Sequence, residues 1–207
     1  MPRLVPIVEG DGETTAVPLL LRRILNLLER YDIQVSQTKN ANGRGNLTKP
    51  GGLEKFIRYA WKERDCGAIF VLLDAEGDCP ETLAKDFSKR VEALGIVFPV
   101  VIVVAKRMYE AWFVASIASI AGHLDLPKNL APPIDAEAVP NPKKWIEAHF
   151  PAGRAYKETQ DQEDMTNLMD LDLASSTRSF RRLLKAVSEA LKAIDSESKI
   201  VTPHFDD

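Results

Sequence analysis

Residues 68–78 read AIFVLLDAEGD, an unbroken apolar run that ends in three acidic residues at alternate positions. A run of this length with β-branched residues is typical of a parallel strand that is buried on both faces. In open sheets built from such strands, ligands bind beyond the carboxyl ends of the strands. The sequence therefore predicts an α/β fold in which Asp74, Glu76 and Asp78 lie at the edge of the sheet where a site forms.

Two further apolar runs are also followed by acidic residues. The run at 3–8 stops at Glu9, and the run at 97–104 is followed shortly by Glu110. Carboxyl ends of parallel strands share one edge, so we expect the three acidic groups to face one another. Carboxylates held that close repel, and a bound divalent cation relieves the repulsion. These patterns together predict a metal site.

Strand and helix signals alternate along the first part of the chain. Strands are predicted at 3–8, 33–36, 68–73 and 97–104, with amphipathic helices between them. Repeated strand–helix–strand units indicate a four-stranded, mainly parallel sheet with right-handed crossovers and flanking helices. We expect an α/β domain over residues 1–124. Residues 125–207 are expected to form a proline-rich connector and a helical extension packed on that domain.

The clearest helix of the predicted extension spans residues 176–194. It combines an apolar stripe with basic residues on its other faces: Arg178, Arg181, Arg182 and Lys185. These basic residues are candidates for contact with nucleic acid or an acidic partner. A solvated helix face is the more common explanation of such a pattern.

Composition limits the class of protein. The net charge of −3 argues against a strongly basic nucleic-acid binder, although it leaves room for local basic patches. Only two cysteines occur, and His123, His149 and His204 lack ligand spacing, so a zinc site is not predicted. No apolar segment approaches the roughly 18 residues that cross a membrane. With no room for a signal peptide before the first strand, we expect a cytoplasmic protein.

The expected metal is Mg²⁺ or Mn²⁺, because closely spaced carboxylates are hard oxygen ligands. Glu9 is a candidate ligand or general acid or base. Glu110 is either an additional ligand or the partner of Lys106, one turn earlier on the same helix face. Glu13 is expected to serve the first turn of its helix, where a negative charge is favoured. Arg44, in the glycine-rich segment 38–52, is a candidate contact for a phosphate backbone.

The acidic motifs resemble those of the Toprim superfamily, which occurs in topoisomerases, primases, small ribonucleases and nucleases of the overcoming-lysogenization-defect type. Val8-Glu9-Gly10 is similar to its first motif, and Asp74-Ala75-Glu76 to its second, with Glu in place of the second Asp. The chain resembles more closely the small bacterial Toprim-like family known as domain of unknown function 4276. Four segments carry that resemblance: VEGDGE at 8–13, LDAEGDCP at 73–80, YEAWF at 109–113 and SFRRL at 179–183.

The resemblance implies metal-dependent phosphodiester chemistry on DNA or RNA, in mobile-element defence and with an ABC- or SMC-type ATPase as partner. It implies that Asp74 and Glu76 bind the metal and that Asp78 assists. Glu9 would bind a second ion or transfer a proton, so Glu9 and Asp74 are the expected catalytic residues. The alternative is a noncatalytic protein of Toprim fold that binds an ATPase or nucleic acid.

Overall fold

A computed structural model describes residues 1–203, so His204, which is not predicted to bind zinc, lies outside the described residues. The described chain forms one parallel sheet of six strands in the order β2–β1–β4–β5–β6, with β3 also pairing with β1. The strands are β1 (Arg3–Val8), β2 (Gln34–Val35), β3 (Lys39–Asn40), β4 (Cys66–Asp74), β5 (Val100–Ala105) and β6 (Val201–Thr202).

Helices cover both faces of the sheet. They are α1 (Glu13–Leu27), α2 (Arg44–Thr48), α3 (Gly52–Trp61), α4 (Pro80–Glu92), α5 (Glu110–Ala115), α6 (Ile117–Ile120), α7 (Pro142–Glu147), α8 (Glu158–Leu168), α9 (Leu171–Ala174) and α10 (Arg178–Asp195), with a 3₁₀ turn at Ala136–Ala138. None of the helices within residues 1–203 combines the length and the apolar character that a membrane crossing requires.

The predicted α/β class is confirmed, and the sheet contains more strands than the four predicted. β3 and β6 have two residues each, too few for a periodic pattern to show in the sequence. β5 begins at Val100 rather than at Val97, which is 64% exposed. The segment 38–52, predicted as a loop, contains both β3 and the short helix α2.

Two apolar layers hold the helices against the sheet. Alternate residues of each strand point to opposite faces, so Phe70 and Ile69 belong to different layers. The layer around Phe70 includes α1, α5 and α10, and the other layer includes α3 and α4. Phe180 and Met165, both downstream of residue 124, lie in the first layer. The helices of the chain's last third therefore cover one face of the sheet, while a domain boundary at residue 124 stays a prediction.

Candidate metal centre

Three acidic residues meet at the carboxyl edge of the sheet. Glu9 follows β1, Asp74 is the last residue of β4, and Glu13 is the first residue of α1. β1 and β4 are adjacent, with Ile7 paired to Val71, so their ends lie side by side. One carboxylate oxygen from each acid lies within 4.8 Å of the others. Glu13 is 5% exposed and Asp74 is 6% exposed, so the cluster is largely shielded from solvent.

Glu13 has a structural role as well as a place in the cluster. Its Oε2 accepts hydrogen bonds of 3.0 Å from the backbone N–H groups of Glu9 and Gly10. Helix α1 has no side-chain cap at Gly12, so the Glu13 carboxylate folds back to fix the strand–helix turn. The sequence indicated the first-turn position of Glu13 but did not group it with the metal ligands. Its spacing of four residues from Glu9, across a Gly-Asp-Gly turn, is the signal that could have done so.

The electrostatics of the cluster favour a bound cation. Burial raises the pKa of Glu9 to about 7, and the charge of Glu76 adds to the rise. Burial raises the pKa of Glu13 to about 8, with the charge of Glu9 as the next cause. The pKa of Asp74 is raised well above its usual range by burial and then by the charges of Glu13 and Glu110. A nearby positive charge would lower all three pKa values together.

The hydrogen bonding of two carboxylate oxygens at this edge fits a metal-binding role. Oε2 of Glu9 and Oε2 of Glu110 are buried, and neither has a hydrogen-bond partner among the described residues. Buried polar atoms in folded proteins nearly always have a partner. The carboxylates offer oxygen ligands alone, the set that suits Mg²⁺ or Mn²⁺.

Glu110 lies beside the cluster and is fully buried. Its Oε1 accepts a hydrogen bond of 3.0 Å from the Tyr156 hydroxyl and one of 3.4 Å from the Gln162 amide. Its ion pair is with Lys143, whose Nζ lies 4.0 Å away, and no pair with Lys106 forms within residues 1–203. Burial raises the pKa of Glu110, and the charge of Lys143 opposes that rise.

Lys143 supplies a positive charge from α7. Its Nζ lies 2.7 Å from Oε1 of Glu158 in addition to its contact with Glu110. Burial lowers the pKa of Lys143, but the charge of Glu110 and the hydrogen bond with Glu158 outweigh burial and raise it. Lys143 therefore stays protonated at neutral pH. The sequence does not indicate that Lys143, Tyr156 and Gln162 belong to the site, because no local pattern around them shows that they fold back over the sheet.

Glu76 and Asp78 are exposed and lie outside the group of three close carboxylates. The backbone of Glu76 is left-handed, with φ of 51°, and its N–H bonds to the carbonyl oxygen of Arg107 at 2.8 Å. Asp78 forms an ion pair with Arg44, whose Nε also donates to the Asp74 carbonyl oxygen at 3.1 Å. Arg44 thus ties the turn after β4 to α2. The assignment of Glu76 and Asp78 as metal ligands stays a prediction.

A parallel α/β sheet with buried carboxylates at its carboxyl edge defines an α/β protein with a candidate divalent-metal centre. Residues 8–188 match the family described as Domain of unknown function (DUF4276), and the chain belongs to that family, which confirms the predicted membership. No curated protein matches the sequence of this chain. The C-terminal region of the Burkholderia pseudomallei OLD protein is a similar solved structure, with 15% identity and a TM-score of 0.40. That similarity covers 92% of this chain and 99% of the other.

Proposed function

We propose that this protein is a Toprim-type phosphodiesterase that requires Mg²⁺ or Mn²⁺ and cleaves DNA or RNA. The observation that supports the proposal is the convergence of Glu9, Glu13 and Asp74 within 4.8 Å at the carboxyl edge of the sheet. Glu9-Gly10 and Asp74 stand in the positions of the Toprim motifs described above. A divalent cation at such a site polarises a phosphate and stabilises the charge that develops on its oxygens.

In this proposal, the buried carboxylates of Glu9, Glu13 and Asp74 hold the ion. Glu76 and Asp78 are proposed ligands from the solvent side of the same edge. The backbone N–H of Tyr109 donates to Oδ1 of Asp74 at 2.8 Å, which fixes the orientation of that carboxylate. The hydrogen bonds from Glu9 and Gly10 fix Glu13 in the same way. The cluster is therefore held in place before a substrate arrives.

Glu9 is the proposed proton acceptor for the attacking water. Without a cation the pKa of Glu9 is raised to about 7, and a cation at the cluster would lower it, so the Glu9 carboxylate would be deprotonated and able to accept a proton at neutral pH. Glu9 is the least buried of the three clustered acids. Its unpartnered Oε2 gives it a free acceptor atom.

Lys143 is the proposed positive charge beside the reacting phosphate. Its Nζ lies 4.0 Å from Oε1 of Glu110 beside the cluster, and its charge lowers the pKa values of Glu9, Asp74 and Glu110. Fixed positive groups stabilise the negative charge that develops in a phosphoryl-transfer transition state. Lys143 belongs to the last third of the chain, which would make that region part of the catalytic unit.

The test is a cleavage assay with supercoiled DNA, single-stranded DNA and RNA, each with Mn²⁺, with Mg²⁺ and with EDTA. Cleavage is expected with the metal ions and not with EDTA, and it is expected to be lost in Asp74→Asn. Asp164→Asn changes an exposed acid on α8 and should cleave normally. Cleavage that persists in Asp74→Asn would contradict the proposed site. Repeating the assay with an ABC- or SMC-type ATPase tests the implied partner.

A further inference from the structure

A cleft runs along one edge of the sheet, between helices on opposite faces. Strand β5 forms its floor, Pro80 and Ala84 of α4 form one wall, and α10 forms the other. Strand β6 pairs with Val100 and Val101, and no other strand within residues 1–203 pairs with β5 on this side. The cavity volume is about 440 Å³, within the range of ligand-binding pockets.

The floor of the cleft presents free backbone groups. Val100 donates its N–H to Ile200 on the β6 side, whereas the carbonyl oxygen of Ala105 bonds to Ala75 on the β4 side. Backbone groups alternate between the two edges of a strand, so Val104 directs its N–H and C=O into the cleft. No strand within residues 1–203 pairs with Val104 on that side.

Three basic residues form a stripe on the α10 wall: Arg178, Arg182 and Lys185. Their spacing of four and three residues puts them on one helix face, along about 10 Å of helix. Lys185 pairs with Glu189 at 3.6 Å, but Arg178 and Arg182 have no ion pair in the described part of the chain. Unpaired arginines in a cleft of a protein with net charge −3 favour an anionic occupant.

Arg181, on the same helix, forms hydrogen bonds within the protein and does not belong to the basic stripe. Its Nη1 donates hydrogen bonds of 2.8 Å to the carbonyl oxygens of Ser175 and Ser176. It does not line the cleft, so the basic residues of α10 divide into a structural group and a cleft group.

Three acidic residues lie near the basic stripe. Glu81, exposed in the first turn of α4, has no side-chain hydrogen bond or ion pair within residues 1–203, whereas protein groups engage the other two. Glu137 accepts hydrogen bonds from the backbone N–H groups of Arg178 and Ser179, at 3.2 and 2.9 Å. Glu189 accepts one of 2.7 Å from the Thr202 hydroxyl. Glu137 and Glu189 thus have protein donors, whereas the guanidinium groups of Arg178 and Arg182 have no hydrogen-bond acceptor within residues 1–203.

The cleft leads to the carboxyl edge of the sheet. A second cavity of about 190 Å³ shares Val104, Arg178 and Arg182 with the first, and its lining reaches Cys79 and Lys106. Lys106 directly follows Ala105, which pairs with Asp74 in the sheet. The basic stripe, Lys106 and the carboxylate cluster therefore follow one another toward the same edge.

We propose that this cleft binds one strand of nucleic acid, with backbone phosphates against Arg178, Arg182 and Lys185, and guides it toward the carboxylate cluster. The inference rests on the proposed function and names the path and form of its substrate. Regularly spaced phosphates match a row of cations on one helix face. A cavity of about 440 Å³ has the size of a small-ligand pocket, which favours a single strand over a duplex as its occupant.

The test measures binding of labelled oligothymidylate of about 16 nucleotides, a length typical of single-strand sites, by fluorescence anisotropy in EDTA across a salt series. The double variant Arg178→Ala/Arg182→Ala should weaken binding about fivefold per cation at 0.1 M salt. The slope of log K against log salt should fall by about 0.7 for each cation removed. Arg181→Ala removes the same charge outside the cleft and should keep the wild-type slope. Thermal melts verify that each variant is folded.

Two results would overturn the inference: an unchanged slope in the double variant, or an equal loss in Arg181→Ala. Displacement of the oligothymidylate by poly-glutamate at equal charge concentration would instead assign the cleft to an acidic peptide. A duplex of the same length should bind the wild-type protein weakly, with an affinity no higher than that of the double variant for the single strand. Binding in EDTA does not depend on a metal ion at the carboxylate cluster. Failure of the cleft is therefore distinguishable from failure of the metal centre.

Discussion

A methyl group on the Cα of Gly12 would come within 2.2 Å of Oε1 of Gln162. It would also lie 2.8 Å from the carbonyl oxygen of Glu158, so α8 packs directly against the turn between β1 and α1. That turn carries Glu9 and Glu13. The last third of the chain thus holds this turn in place through direct contact with a glycine backbone.

Gly12→Ala should destabilise the protein by about 1–3 kcal/mol, because the added methyl group forces α8 away from the turn. The same displacement should weaken metal binding, since it moves Glu13. Urea unfolding measures the first effect and a Mn²⁺ titration the second. Gly10→Ala is the matched control, because its nearest contact, Oε2 of Glu13 at 3.9 Å, is an ordinary one. Equal destabilisation by both changes would contradict the proposed contact.

Asp74→Asn should remove the increase in melting temperature that Mn²⁺ gives the wild-type protein. The variant keeps an oxygen for the N–H of Tyr109 but loses the negative charge next to Glu13. Without metal, it should be at least as stable as the wild type, because like-charge repulsion is relieved. Thermal melts with EDTA and with Mn²⁺ measure both effects. A Mn²⁺-dependent shift of wild-type size in this variant would show that Asp74 is not a ligand.

Glu13→Gln and Glu13→Ala separate the two roles of this residue. Gln keeps an acceptor for the N–H groups of Glu9 and Gly10, so its cost in stability should be small, whereas Ala should cost about 1 kcal/mol. Both variants lose the charge, so both should weaken Mn²⁺ binding. Urea unfolding and isothermal titration calorimetry give the two quantities. Normal Mn²⁺ affinity in Glu13→Gln would leave Glu13 with a structural role alone.

Stability without metal should fall as the pH rises from about 4.5 to about 8. The pKa values of Glu9 and Glu13 are raised to about 7 and about 8, from 4.5, so the folded state binds more protons than the unfolded state in this window. Unfolding free energy decreases with pH under that condition. Mn²⁺ needs the deprotonated carboxylates, so its stabilising effect should grow over the same window. Melting curves in EDTA and in Mn²⁺ across this pH range provide the measurement, and a flat EDTA profile would contradict it.

Lys143→Met should lower the rate of phosphodiester cleavage by about 10²-fold or more, because it removes a fixed positive charge near the cluster. Methionine retains much of the side-chain volume, and the fold should persist. Lys144→Met, at the next and exposed position of α7, is the matched control. Single-turnover cleavage with saturating Mn²⁺ measures the effect. Equal rates in the two variants would remove Lys143 from the proposed mechanism.

The sequence was sufficient for the central fold, since long β-branched runs such as the one at 68–73 indicate strands buried on both faces. Convergence of Glu9 with Asp74 also followed from the shared edge of parallel strands. The sequence does not predict Glu13 as a member of the carboxylate cluster, because its first-turn position already explains its negative charge. Lys143, Tyr156 and Gln162 could not be found, because their approach to the site depends on tertiary folding across many residues. β6 was missed for a similar reason, as two residues form a strand only when β5 is beside them.

The packing of α8 against Gly12 also limits the directions from which a substrate can arrive. Buried Gln162 and the contact with Glu158 close the cluster on the α1 side. Exposed Glu76 lies on the other side, on the turn that follows β4. A substrate of the proposed reaction would then approach the carboxylates from the side of that turn, and a partner docked there would control access to them.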